Sequence, residues 1–182
     1  MKNFNGYHYF EKSIGPFHNL SSLSQGEAEA VSQQIRKGGR VFASQRSSDY
    51  IKIRRGLEQL AYKKFTAKGG KPALDYPHYL TLGVCSWLES WYGEPDHVII
   101  PWGELPAEVV SFTYGDLFPT MRYEDGKAYR KQVYTKDEIV ELIQIYGLPQ
   151  EWNPTGQHGP ERYIEVQVWD ERVVKPFCKS DA

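Results

Sequence analysis

The sequence predicts an α+β fold in one domain, and three observations predict it. Segments with apolar residues at helical spacing cluster early, and segments of alternating character come late, which argues against a doubly wound sheet. A length of 182 residues accommodates one full core and is short for two. No internal repeat and no low-complexity segment interrupts the chain.

The elements follow in order. "YHYFE" (7–11) reads as a first strand, and Gly15 and Pro16 punctuate the loop after it. Ser24 then stands as an N-cap with Glu27 three residues on, and Ala28, Val31 and Ile35 share one face before Gly38, so a helix is expected. "RVFAS" (40–44) reads as a strand. "SDYIKIRRGLEQLAYKKF" reads as a second helix with Ile53, Leu57, Leu60, Ala61 and Phe65 inward.

After "KGGKP" the character turns to β, with strands expected at 78–82, 97–101 and 108–113 and a short helix around 86–92. Asp125-Gly126 between two alternating runs predicts a tight hairpin. Thr135 and Glu138 form a capping box for a helix whose stripe is Ile139, Leu142, Ile143 and Tyr146, ending at Gly147. The long loop 148–161 leads to a last strand, "RYIEVQVW", and residues 171–182 read as a flexible tail.

Composition excludes several classes. No stretch approaches the roughly 20 apolar residues of a membrane span, and the first ten residues lack a signal-peptide core, so a cytosolic protein is expected. Cys85 and Cys178 sit in no spaced ligand motif, so neither a disulfide framework nor a metal site is indicated. P-loop, Rossmann, HExxH and GxSxG signatures are all missing. Charge is lopsided: residues 1–80 carry 13 Lys+Arg against 6 Asp+Glu, and residues 81–182 carry 9 against 17. That pattern suits an anionic ligand or nucleic acid at the first half, or equally a fold whose halves attract.

Glu165 sits in the last strand with Tyr163 and Trp169 on its face, either solvated or on the floor of a cleft. The other candidates are scattered: His8 and Tyr9 in the first strand, Asn19 after its loop, Arg54 and Arg55 on a helix, and Tyr79 in a later strand. Adjacent arginines on a helix point about 100° apart, so one can reach a pocket while the other faces water. An arginine fork suits phosphate, although a solvated helix face explains it as well. A lone strand histidine is more often structural than functional.

The order of these pieces resembles the DarT-like ADP-ribosyltransferases. The segments that carry the likeness are "YHYFEKSIGPFHNL", "YIKIRR", "DYPHYLTLG", "EVVSFTYGDLFPTMRY" and "RYIEVQVWDERVV". "LTLGVCSWLESWY" departs from the family's corresponding loop, and residues 125–147 add a hairpin and helix. A second resemblance, over the whole chain, is to small uncharacterised proteins of Bacillus-type bacteria that carry "FTYGDLFPTMRY" and "GPERYIEVQVWD".

The first resemblance implies a split, mixed sheet and cleavage of the nicotinamide–ribose bond of NAD, with ADP-ribose passed to a nucleic acid or protein. Glu165 would be catalytic. His8, Tyr9, Asn19, Arg54, Arg55 and Tyr79 would bind NAD, Arg54 or Arg55 at its phosphates, His8 on the ribose or adenosine side and Tyr79 near the nicotinamide ring. Competing readings are a non-catalytic nucleotide or nucleic-acid-binding module, a hydrolase or nuclease using His8, His78 or His158 with Glu165, and an aromatic-rich interaction protein.

Overall fold

The computed structural model describes residues 4–38, 47 and 49–178. Five strands form one antiparallel sheet: β1 (Asn5–Glu11), β2 (His78–Leu82), β3 (Pro95–Pro101), β4 (Val110–Tyr114) and β5 (Ile164–Val168), in the order β3-β1-β2-β5-β4. The helices are α1 (Gln25–Gly38), α2 (Tyr50–Ala67), α3 (Ser86–Glu89), α4 (Leu117–Arg122), α5 (Lys136–Tyr146), α6 (Pro149–Trp152) and α7 (Glu171–Val174). The α+β class is as expected. The strand expected at 40–44 lies outside the described residues.

The named strands pair antiparallel throughout, so the sheet is not mixed. It is continuous but splayed at one place. β1 pairs with β3 at seven positions, from Asn5 to Glu11, yet meets β2 only through Gly6 and Tyr7. Past Tyr7 the two strands part.

β5 lies between β2 and β4, and every residue from Tyr163 to Asp170 is buried. Ile164, Val166 and Val168 enter the main core with Leu80, Leu82, Phe112 and Ile139. The opposite face, which alternation alone leaves wet or dry, is covered. Trp169 packs with Ala61 and Phe65 of α2 and with Leu117 and Met121 of α4, while Tyr163 packs with Tyr9 and Cys85.

The polar groups on that face satisfy one another, as burial requires. Trp169 Nε1 donates to Ser111 Oγ at 2.8 Å, Ser111 Oγ to Gln167 Oε1 at 2.9 Å, and Gln167 Nε2 to Thr113 Oγ1 at 3.0 Å and to Glu165 Oε1 at 3.2 Å.

On α2 the buried residues are Ile51, Glu58, Ala61 and Phe65, whereas Leu60, expected inward, is exposed. Phe65 is closed over by the backbone at Gly70, where an added Cβ would sit 2.5 Å from ring carbons of Phe65. Gly70→Ala is therefore expected to cost about 1–3 kcal/mol, lowering the thermal midpoint by roughly 2–4 °C per kcal/mol for a chain of this size. A melt within a degree of the parent would show that the Phe65 ring can yield.

Three expectations are corrected. The hairpin at Asp125-Gly126 does not form. Asp116 caps α4 instead, its Oδ1 accepting from Phe118 N–H at 2.7 Å, and Asp125 accepts from Arg130 Nε and Nη2 at 2.8 and 2.6 Å. Arg130 also pairs with the buried Glu161, so ion pairing, not a strand ladder, folds residues 123–131. Residues 171–177, expected as part of a tail, form α7 and a 3-10 turn, with Val174 fully buried. Finally, the segment expected as a long loop over 148–161 begins with a helical turn, α6, and is closed on itself. The buried Asn153 donates to the carbonyls of Gly159 and Glu161 and accepts from His158 N–H.

The capping boxes hold as read. Ser24 and Glu27 bond reciprocally ahead of α1, and Thr135 and Glu138 do so ahead of α5. No helix among the described residues is long and apolar enough to cross a membrane.

Candidate active site

Where β1 and β2 part, a cleft of about 380 Å³ opens. β1 and β2 form its walls and Glu165 its floor. Arg54 and Tyr50 enter from α2, and Asp116, Leu117 and Phe118 from the start of α4. Loop 14–20 lies along one side, and Leu88, Trp91 and Tyr92 form part of the rim. The volume and largely aromatic lining are those of a small-molecule site.

Of the seven residues picked from sequence, Glu165, His8, Tyr9, Asn19, Arg54 and Tyr79 line this one cleft, and Arg55 does not. Arg55 lies about 100° around the helix, where it donates to the carbonyl oxygens of Ser21 and Leu23 and to Gln25 Oε1, bracing the start of α1. It is a structural clamp, so its expected role at phosphate is withdrawn.

Arg54 belongs to a network. Its Nε donates to Glu58 Oε1 at 2.9 Å, its Nη2 reaches Asn19 Oδ1 at 3.4 Å, and its guanidinium lies 4.8 Å from the centre of the Tyr79 ring. Tyr79 Oη donates to the same Glu58 oxygen at 2.6 Å. These bonds use two of the five N–H donors of Arg54. One face of Tyr79 is covered by the guanidinium, so stacking near a flat ring there falls to its other face or to the neighbouring pair Tyr50 and Phe118, 5.3 Å apart.

Asn19 caps the 3-10 turn Leu20–Ser22 by accepting from Ser21 N–H, and its amide donates to Pro77 C=O at 2.7 Å. It ties the loop to the start of β2. Tyr9 Oη accepts from Cys85 N–H at 2.9 Å.

His8 is spoken for on both nitrogens. Phe17 N–H donates to its Nε2 at 2.8 Å, which forces the proton onto Nδ1, and Nδ1 then donates to Tyr79 C=O at 2.8 Å. The ring spans the gap where the β1–β2 ladder stops and stacks on Phe17 at 4.2 Å. Its expected contact to a sugar hydroxyl has no nitrogen to use while loop 14–20 is closed.

Burial lowers the His8 pKa from 6.5 to about 4, against the opposing bond to Tyr79 C=O, and the neighbouring His78 and His18 add to the lowering. For a histidine with a depressed folded value the stability is present above the unfolded pKa and lost as pH falls. A loss on the order of 2 kcal/mol is therefore expected between pH 6.5 and about 4. It should be absent in His8→Asn, and an identical acid slope in that variant would clear His8 of the effect.

Glu165 is 6% exposed. Its Oε1 accepts from Leu117 N–H and from Gln167 Nε2, both at 3.2 Å, and its Oε2 lies 3.4 Å from Tyr163 Oη. Burial, then the charge of Asp116, holds its carboxyl well above the usual carboxylate range, more than offsetting the bonds from Gln167 and Leu117. A strongly perturbed acid in a cleft is a candidate functional group.

Sequence reasoning passed over three residues of this arrangement. Glu58 was readable, because Ile51, Arg54, Glu58, Ala61 and Phe65 share one helical stripe and a charge pair on a buried stripe is abnormal. Asp116, next to Gly115 at the end of an expected strand, carries in the sequence only the signature of a turn former. Tyr163 was seen as a neighbour of Glu165 and no more.

Comparison with protein-family models, curated proteins and solved structures finds no match to this chain. The site therefore stands on its own chemistry: a buried acid, an arginine and several rings in a splayed antiparallel sheet. No group of three or more His, Cys, Asp or Glu among the described residues is placed to hold a metal ion.

Proposed function

We propose that this chain is an NAD-dependent ADP-ribosyltransferase of the DarT-like kind. The observation that carries the reading is convergence: six residues drawn from four separate segments of sequence line one cleft. Cleaving the nicotinamide–ribose bond develops positive charge at the ribose. A carboxylate on the cleft floor stabilises that charge and fixes the sugar through a hydroxyl, the role assigned to Glu165. Arg54, held by Glu58 and Asn19, offers its remaining donors to the two phosphates. The aromatic walls accept the flat rings.

For the acceptor we propose a nucleic acid, since the first half of the chain carries 13 basic residues against 6 acidic ones. The test is release of nicotinamide from NAD by the purified protein, alone and with single-stranded DNA or RNA. Release stimulated by one of these polymers is the expected result. Binding of NAD without any release would instead define a non-catalytic nucleotide-binding module.

A further inference from the structure

Asp116 has a second carboxylate oxygen that its helix cap does not use. Capping α4 takes Oδ1 alone, at 2.7 Å from Phe118 N–H. Oδ2 lies 3.1 Å from Tyr163 Oη, and that same hydroxyl is 3.4 Å from Glu165 Oε2. A phenol has one proton, so it can donate to only one of the two carboxyls at a time. The two acids are thus joined through a single hydroxyl, and both line the cleft. Asp116 is half-buried whereas Glu165 is almost fully buried, so their environments differ. Two acids in unlike surroundings are how a site divides acid and base work.

We infer that Asp116 is a second catalytic residue of the proposed reaction, the base that takes the proton of the attacking nucleophile, with Tyr163 positioning it against Glu165. The inference rests on the NAD-cleaving reading. In the step, the bond from ribose C1′ to the pyridinium nitrogen breaks and its electron pair neutralises that nitrogen. The incoming oxygen, from water or an acceptor hydroxyl, forms the new bond to C1′, and its proton passes to Asp116. Glu165 stays on the sugar throughout. Nicotinamide, the ADP-ribosyl product and one proton account for every atom.

The experiment uses water as nucleophile and follows NAD hydrolysis from pH 5 to 9 in the parent, Asp116→Asn, Asp116→Ser and Glu165→Gln. Asparagine and serine cap helices as well as aspartate does, so both Asp116 variants keep the cap and melt like the parent. Both are expected to lose about 10²- to 10⁴-fold in turnover, with affinity for ADP-ribose changed less than threefold. The pH profile separates this role from a structural one. Glu165 is faced by Asp116, by Arg54 from α2, by Tyr79 from β2 and by Tyr163 just ahead of its own strand, and only the first changes. Removing that neighbouring charge should move the acid limb of the residual rate to lower pH.

Turnover within threefold of the parent in either folded variant, or an unmoved acid limb, overturns the assignment. If Glu165→Gln abolishes hydrolysis while Asp116→Asn retains it, only the Asp116 inference falls. If the parent releases no nicotinamide at any pH, the underlying reading falls with it.

Discussion

Glu165→Gln is expected to lower nicotinamide release by about 10³-fold, close to 4 kcal/mol of transition-state stabilisation, while making the protein more stable at alkaline pH. The two effects have one cause. The floor of the cleft is a poor place for a negative charge: Glu165 is buried, and Asp116 stands nearby. A carboxyl whose folded pKa is raised contributes stability fully present below its unfolded value, near 4.5, and lost as pH rises through the folded one. Glutamine keeps an oxygen for Leu117 N–H and Gln167, and its amide can donate to Tyr163 Oη where the acid would. Parent and variant should thus melt together at pH 5 and separate at pH 8, the variant higher by about 1–3 kcal/mol. A variant less stable at pH 8 would mean that the ionised carboxylate holds the fold together, and full activity would remove Glu165 from the mechanism.

The second large effect concerns Arg54. Replacing it by methionine leaves Glu58 fully buried without its cation, with only Tyr79 Oη donating to Oε1 and no protein partner on Oε2. Breaking a buried pair from one side costs about 3–5 kcal/mol, whereas replacing both members by apolar groups is often neutral. Arg54→Met should therefore depress the urea midpoint strongly, and adding Glu58→Leu should restore most of it. Neither form should bind NAD, because the proposed phosphate contact is gone in both. If the double variant is as unstable as the single one, the pair is not what sets the stability of α2. If it binds NAD normally, Arg54 is structural only.

These two residues also show how far the sequence could be read. Capping boxes, the period of α5 and the alternation of β5 are local signals, and local signals survive into the structure. Whether the polar face of β5 meets water or protein is not local. It depends on α2 and α4, whose residues lie more than forty positions away, packing over Trp169. The hairpin expected at Asp125-Gly126 failed for a related reason, since Arg130, besides its local pair with Asp125, is held by Glu161, a contact that no window of the sequence contains. Among the site residues, adjacency at Arg54 and Arg55 correctly required that they part company, but only the folded chain says which one meets the cleft.

The row of side-chain bonds from Trp169 through Ser111 to Gln167, which there branches to Thr113 and to Glu165, has a consequence for how the sheet is assembled. Sliding β5 by one residue against β4 would set Val166 and Val168 among those hydroxyls and turn Gln167 and Glu165 toward Phe112 and Ile139, so every polar group would lose its partner at once. The strand can dock in one alignment only. The acid on which the chemistry is proposed to depend is thereby delivered to its place by the same lock that rejects a misaligned sheet.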